Sequence, residues 1–118
     1  MLRLMKDRDT LNVVADQIGS PTYAFDLAET ILQIIQQLAL GNQHYGIFHY
    51  SNAGITNWCD FAKAIRDNAG FTCNINGITT AEYPTPAKRP AYSVMDMTTI
   101  IEKYGITLRD WKQSLAQC

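Results

Sequence analysis

The sequence predicts a mixed α/β fold, a small lobe of about five helices and three short strands. Two patterns lead there. Through residues 24–39 and 58–69, apolar side chains recur at helical spacing, the period of an amphipathic helix. Around them lie short β-branched or alternating runs bounded by Gly, Asn and Pro, the pattern of strands closed by turns. So few short strands are thin for a self-sufficient parallel sheet, which is normally larger and covered on both faces. Residues 1–118 therefore read as one lobe of a larger protein.

Residues 1–8 read as the end of an amphipathic helix, with Leu2, Leu4 and Met5 apolar among charges. Residues 11–15, Leu-Asn-Val-Val-Ala, are a strand by composition. A turn-rich loop follows over 16–22. Gly19 there permits a positive φ, while Pro21 fixes its own φ and holds Ser20 extended. The helix expected over 24–39 carries two adjoining apolar stripes. Phe25, Ala28, Leu32, Ile35 and Ala39 form one, and Leu27, Ile31, Ile34 and Leu38 the other, so the apolar face is wide. Asp26 and Glu29 suit the positive end of its dipole, and Gly41-Asn42 ends it.

A second strand is expected over 46–51, after which Asn52-Ala53-Gly54 turns the chain. Thr56 or Asn57 caps a third helix, with Asp60 close behind. Trp58, Phe61, Ala62, Ile65 and Ala69 share one face of it, and Gly70 closes it. Residues 73–80 read as a weaker strand. Residues 83–93 contain Pro84, Pro86 and Pro90 with little Gly or Ser, so they form an ordered, extended loop and not a flexible linker. Asp96 caps a short helix ending at Tyr104-Gly105. A last helix, about 110–117, carries Trp111 and Leu115 one turn apart.

The composition, 47% hydrophobic and 18% charged, allows a core of ordinary size. A net charge of -1 supplies no basic field for nucleic acid or an anionic membrane surface. No apolar run approaches the ~18 residues of a membrane span. The N-terminus lacks the pattern of a signal peptide, so a cytoplasmic protein is expected. Cys59, Cys73 and Cys118 have no metal-ligand spacing, and Cys59 reads as a buried thiol. His44 and His49 have no Cys or acidic cluster to complete a site, so no metal ligand is expected.

Several stretches resemble one known family. Val13-Val14-Ala15-Asp16-Gln17-Ile18-Gly19-Ser20-Pro21-Thr22 is similar to the V-V-x-D-Q-x-G-x-P-T signature of dTDP-4-dehydrorhamnose reductases, which are extended short-chain dehydrogenases. Gly46-Ile47-Phe48-His49 resembles the family's G-x-Y-H run. Trp58-Cys59-Asp60-Phe61-Ala62-Lys63-Ala64-Ile65 resembles its W-x-x-F-A-x-x-I helix. Glu82-Tyr83-Pro84-Thr85-Pro86-Ala87-Lys88-Arg89-Pro90 resembles its E-Y-P-T-P-A-x-R-P loop. Ser93-Val94-Met95-Asp96 and Leu108-Arg109-Asp110-Trp111 follow its S-x-L-D and L-P-D-W. Phe48, Met95 and Arg109 depart from the pattern; Arg109, where Pro is usual, is expected mainly to affect how the last helix starts.

The resemblance implies the C-terminal part of an extended Rossmann-type reductase. The parent enzyme would reduce the 4-keto group of dTDP-4-dehydro-L-rhamnose with NADPH or NADH in dTDP-L-rhamnose biosynthesis. The family's dinucleotide loop and its catalytic Tyr-x-x-x-Lys pair have no counterpart here, since the chain contains no Gly-x-Gly and no Tyr followed four residues later by Lys. The resemblance thus assigns no catalytic, cofactor-binding or metal-binding residue to this chain, and no bound cofactor. The chain alone is expected to be inactive, with a dTDP-sugar and an N-terminal cofactor domain as partners. Without that domain, apolar surface near residues 11–15 and 47–50 is expected to be exposed, and self-association, as a dimer or otherwise, to follow.

Two residues are candidates for the substrate. Arg89 has a planar fork suited to a pyrophosphate, held by the prolines around it; the competing reading is a solvated Lys88–Arg89 pair. Gln17 offers a short polar group at a strand's C-terminal end, where α/β ligands collect; the competing reading is turn structure. Asp16 is either a pocket acceptor or a turn former, and Thr22 is read as a cap for the following helix. Trp58, Phe61 and Trp111 are expected in the core. A second function class is a non-catalytic regulatory subunit resembling the β-subunit of methionine adenosyltransferase, and a third is a stand-alone binding module.

Overall fold

The computed structural model describes residues 1–118. Five helices form: α1 (Leu2–Asp7), α2 (Ala24–Ala39), α3 (Trp58–Asn68), α4 (Thr98–Tyr104) and α5 (Trp111–Leu115). Four short strands accompany them: β1 (Thr10–Val14), β2 (Ile18–Gly19), β3 (Thr56–Asn57) and β4 (Asn74–Ile78). The chain divides into two compact units, each built from two separated stretches. The first holds Met1–Gly19 and Ile55–Val94, the second Ser20–Gly54 and Met95–Cys118.

In the first unit β1 and β4 pair in parallel, with Leu11 opposite Ile75 and Val13 opposite Gly77. Parallel strands need a crossover, and α3 lies within this one and packs on both strands. Met5 from α1, Leu11, Cys59 and Ala62 from α3, Cys73 and Ile75 are buried together, with Val13, Ala15, Ile65 and Phe71 packed against them. The exposure expected around residues 11–15 is found only in part: α1 and α3 bury Leu11, while Val13, Val14 and Ala15 are half-buried and β1 is paired on one edge alone. Asn57 caps α3 as expected. Its side chain accepts from the Asp60 N–H at 2.9 Å and donates to the Asp60 carboxylate at 2.8 Å. Cys59 and Ala62 face the sheet, and Trp58 lies outside. Trp58 is 56% exposed, so it is not a core residue; its ring meets Phe61 edge-on, 6.5 Å between centroids.

β2 and β3 pair antiparallel over two residues each, too short to leave a periodic signal. Gly19 is not at positive φ. Its requirement is space: a Cβ there would lie 2.9 Å from Ser93 Oγ.

In the second unit α2 spans the residues its periodicity predicts. Its cap differs from expectation. Thr22 is exposed and no side chain on the preceding residues caps the helix; Tyr23 holds the cap position, and its N–H donates to Asn52 Oδ1 at 2.7 Å. Asp96 accepts from the Thr98 N–H at 2.9 Å, α4 ends at Gly105 in the left-handed region, and Asp110 caps α5 through the Lys112 N–H at 2.8 Å. The core cluster is Ile100, Tyr104 and Ile106, with Ile34, Phe48, Tyr50, Met97 and Leu108 partly buried against it. Trp111 is buried, as expected.

Residues 46–51 form no strand. Their alternation survives, with Phe48 and Tyr50 turned to the cluster and Ile47 and His49 exposed. A strand is made by its ladder, however, and pairing begins only at Ala53, in a single parallel bridge to Asp110. The outer stripe of α2 is also unexpected. Phe25, Leu32 and Ile35 are 57%, 58% and 53% exposed, and Ala28 and Ala39 are exposed with them. What α2 buries fully is Asp26 and Thr30. No helix is long and apolar enough to cross a membrane.

Candidate functional site

The two turn-rich motifs converge in the first unit. The ladder between β1 and β4 runs one bond further, from the Ala15 N–H to the Ile78 carbonyl at 2.9 Å, and delivers both chains to the same end of the sheet. Asp16 then accepts from the Thr80 N–H with both oxygens, at 3.0 and 2.9 Å, and from the Thr80 hydroxyl at 2.6 Å. Gln17 Nε2 donates to that same hydroxyl oxygen at 3.1 Å. Thr79 and Glu82 close a reciprocal cap on the short 3-10 turn Thr80–Glu82, with the Glu82 carboxylate accepting from the Thr79 N–H at 2.7 Å and from its hydroxyl at 2.8 Å.

The far end of the proline loop is fixed to the same strand. The Ile18 N–H donates to the Ala91 carbonyl at 2.8 Å, and the Ser93 N–H donates back to the Ile18 carbonyl at 2.9 Å. Ser93 Oγ adds a bond to that carbonyl at 3.1 Å. Residues 83–90 are thus a loop held at both ends by residues 16–18. Within it the Thr85 hydroxyl donates to the Ala87 carbonyl at 2.8 Å. Lys88 and Arg89 project from it into solvent, and no carboxylate pairs with either.

The electrostatics follow from these bonds. The Thr80 hydroxyl, then its N–H, hold the Asp16 carboxyl below its ordinary value. The Thr79 N–H and hydroxyl do the same for Glu82. Two anchored carboxylates therefore stand at the base of the loop, and the two cations Lys88 and Arg89 stand on its exposed part.

These residues do not fit a nicotinamide dinucleotide. A phosphate-cradling turn after a strand needs glycines and free backbone N–H groups. Here Asp16 occupies that turn, its carboxylate consumes the Thr80 N–H, and the space beside Gly19 is filled by Ser93. No group of three or more His, Cys, Asp or Glu side chains converges to hold a metal.

The second unit contains a buried polar node that the sequence reading missed. Asp26 is 5% exposed and receives Arg109 Nη1 at 2.6 Å, Asn52 Nδ2 at 2.5 Å and the Ser114 hydroxyl. Burial pushes the Asp26 carboxyl up, but the bonds from Ser114 and Asn52 and the Arg109 charge outweigh it, leaving it below its ordinary value. Asn52 also donates to the Arg109 carbonyl at 3.1 Å. Arg109 therefore does more than set the start of α5: it neutralises a buried carboxylate. The one signal in sequence was an Asp inside an apolar-patterned helix. Every polar atom of the node is satisfied within the chain, which marks it as structural.

Of the sequence candidates, Gln17 and Arg89 both belong to the paired-loop assembly. Gln17 is partly committed to Thr80, and Arg89 is free in solvent. Asp16 spends its carboxylate on Thr80, 64 residues away, so it ties the two loops together. A family model described as RmlD substrate binding domain matches residues 1–118. A dTDP-4-dehydrorhamnose reductase of Aggregatibacter actinomycetemcomitans is 47% identical over 122 residues, covering 98% of this chain and 42% of the relative. The spore coat polysaccharide biosynthesis protein SpsK of Bacillus subtilis is 42% identical, over 99% of this chain and 39% of its own length. Among solved structures, a Bacillus anthracis dTDP-4-dehydrorhamnose reductase in complex with NADP superposes with a TM-score of 0.90 at 35% identity, over 98% of this chain and 40% of that one. A Clostridium acetobutylicum dTDP-4-dehydrorhamnose reductase gives 0.88 at 39% identity. The chain spans about two-fifths of the length of these relatives.

Proposed function

The chain belongs to the RmlD substrate binding domain family, and on that premise we propose that it is the substrate-binding part of a dTDP-4-dehydrorhamnose reductase. The whole enzyme reduces the 4-keto group of dTDP-4-dehydro-L-rhamnose at the expense of NADPH, in the cytoplasm, on the way to dTDP-L-rhamnose. NADPH is favoured over NADH because the Bacillus anthracis relative was solved with NADP. The names of the relatives favour this reading over a regulatory subunit.

One observation carries the assignment to a ligand site: the loop 83–90 is tied at both ends to residues 16–18, which presents Arg89 from a braced backbone. Bracing lowers the ordering entropy that binding would otherwise cost. Arg89 then takes the pyrophosphate of the dTDP-sugar, and Gln17, oriented by Thr80, faces the same ligand. The isolated chain binds but does not turn over, since nothing in it fits the cofactor. Its exposed apolar surface favours self-association, as a dimer.

Titration of the chain with dTDP, followed through tryptophan fluorescence, tests the reading. Arg89→Ala is expected to weaken binding at least about tenfold, the loss of a charge-assisted bidentate contact, with Arg89→Lys in between. Equal affinity for all three proteins would remove Arg89 from the site. NADPH oxidation by the isolated chain would refute its inactivity.

A further inference from the structure

We infer that Trp58 is the platform on which the planar base of the nucleoside diphosphate stacks. The inference rests on the proposed function and adds the base to the contacts at Gln17 and Arg89. It begins from an indole that the core leaves out. Cys59, the next residue of α3, is 2% exposed, whereas Trp58 is 56% exposed. Phe61 meets the indole edge-on, with centroids 6.5 Å apart, and steadies it. A steadied, exposed indole beside polar groups is suited to meet another planar ring, because stacking needs only an open aromatic face.

Strand register says what stands beside it. Ile18 pairs with Asn57 and Gly19 with Thr56, antiparallel. Asn57 is still extended, at φ -125 and ψ 170, so the next position sets Trp58 across from Gln17. On the other side of β2, Ile18 bridges Tyr92 in parallel, which sets Ala91 beside Gln17. Trp58, Gln17 and Ala91 are therefore neighbours in one row across three strands. Alternation brings Gly19 and Ser93 to the same face one step on, and the 2.9 Å between a Cβ at Gly19 and Ser93 Oγ confirms it for that pair. The floor beside the indole is thus built from Gly19, Ala91 and Ser93, which rise little from the backbone. Arg89 lies two residues before Ala91, and Pro90 favours an extended backbone there, so the row runs on to Arg89. Two strand spacings, about 10 Å, separate the positions of Trp58 and Ala91. A nucleoside diphosphate spans a comparable length from its base to its phosphates, and the long Arg89 side chain covers the remaining step. One ligand therefore reaches the indole with its base, Gln17 along its length and Arg89 with its pyrophosphate.

Calorimetric titration of the chain with two probes, dTDP and inorganic pyrophosphate, tests this. Trp58→Ala is expected to weaken dTDP binding at least about tenfold, the loss of one base–aromatic stack, and to leave pyrophosphate binding unchanged. Trp58→Phe keeps a smaller ring and is expected in between. Arg89→Ala is expected to weaken both probes. Because Trp58 is exposed, both of its variants should keep the melting temperature of the unsubstituted chain. In that chain dTDP should quench the emission of Trp58. In Trp58→Phe the quenching should vanish while the heat of binding remains, since Trp111 is buried in the other unit. Equal dTDP affinity for Trp58→Ala and the unsubstituted chain would overturn the inference; the proposed function would still stand if Arg89→Ala weakened binding. Equal losses for dTDP and pyrophosphate in Trp58→Ala would also overturn it, because the indole would then shape the loop without holding a base. A loss of dTDP binding in Trp58→Ala with none in Arg89→Ala would remove Arg89 from the site and leave the base platform standing. Failure of the unsubstituted chain to bind dTDP at all would overturn both readings.

Discussion

Replacing Asp26 with Ala tests whether the buried node holds the second unit together. The carboxylate is 5% exposed and serves three donors, Arg109, Asn52 and Ser114. Removing it strands the last two in a buried site, at about 1–3 kcal/mol each. Asn52 keeps its bond to the Arg109 carbonyl, and Ser114 a long one to the Asp110 carbonyl, so the lower half of that range applies. The Arg109 side chain is 36% exposed and rehydrates, adding about 1 kcal/mol at most. The total is about 3–4 kcal/mol, in line with what breaking one side of a buried pair costs. The melting temperature should fall by roughly 15 °C. Urea unfolding followed by tryptophan emission measures it, because Trp111 is buried in the same unit and dominates the change, Trp58 being exposed already. The same experiment run against pH checks the cause. Asp26 titrates below its ordinary 3.8 in the folded state, so its contribution is present above that value and is lost as pH falls through the folded one. Wild type should therefore destabilise below about pH 4, and the variant should lose that part of the acid arm. A loss under about 1 kcal/mol, or an unchanged acid arm, would show that the node is solvated and contributes little.

Gly54→Ala places a Cβ 2.7 Å from the Trp111 ring at φ 93, and should cost about 2–3 kcal/mol in the same urea assay. Gly19→Ala meets only Ser93 Oγ, so the expected loss is about 1 kcal/mol, and adding Ser93→Ala should recover most of it in thermal melts. Thr80→Val removes the hydroxyl shared by Asp16 and Gln17 on an exposed loop. It should leave the melting temperature nearly unchanged while weakening dTDP binding several-fold by fluorescence titration, since Gln17 loses its anchor and the loop part of its brace, the Thr80 N–H bonds to Asp16 remaining.

How much of this was legible in sequence depends on how local each feature is. α2 was placed to the residue because sixteen residues of period 3.6 outweigh any single ambiguity. The Asn57 cap and the left-handed Gly105 are decided within one turn of chain, and both were readable. β2 and β3 were not, since two-residue strands exist only through their partners. The run 46–51 shows the same dependence in reverse: its alternation was read correctly, but alternation describes which side chains face inward, and no ladder forms there to make it a strand. Trp58 was misplaced for a related reason. Helical spacing identified a face that does reach the core at Ala62 and Ile65, but Trp58 stands at its exposed start and Cys59, beside it, is the residue buried there. Asp26 looked like a dipole residue because its partners Asn52, Arg109 and Ser114 are remote in sequence.

The candidate site illustrates the same limit from the other side. Each motif was visible as a run of turn residues, but their relation was not, because the bonds joining them span the whole insertion between β2 and β3. Once Thr80 is seen to serve both Asp16 and Gln17, and Ile18 to hold Ala91 and Ser93, the two motifs become one object with one exposed product, the segment bearing Lys88 and Arg89. The polar residues nearest the sheet are consumed in bracing, and Lys88 and Arg89 are left exposed on the segment they brace. Counting donors and acceptors separates the two sets: Asp16 and Glu82 have theirs within the chain, whereas the N–H groups of Arg89 face solvent, which is what the proposed pyrophosphate contact needs.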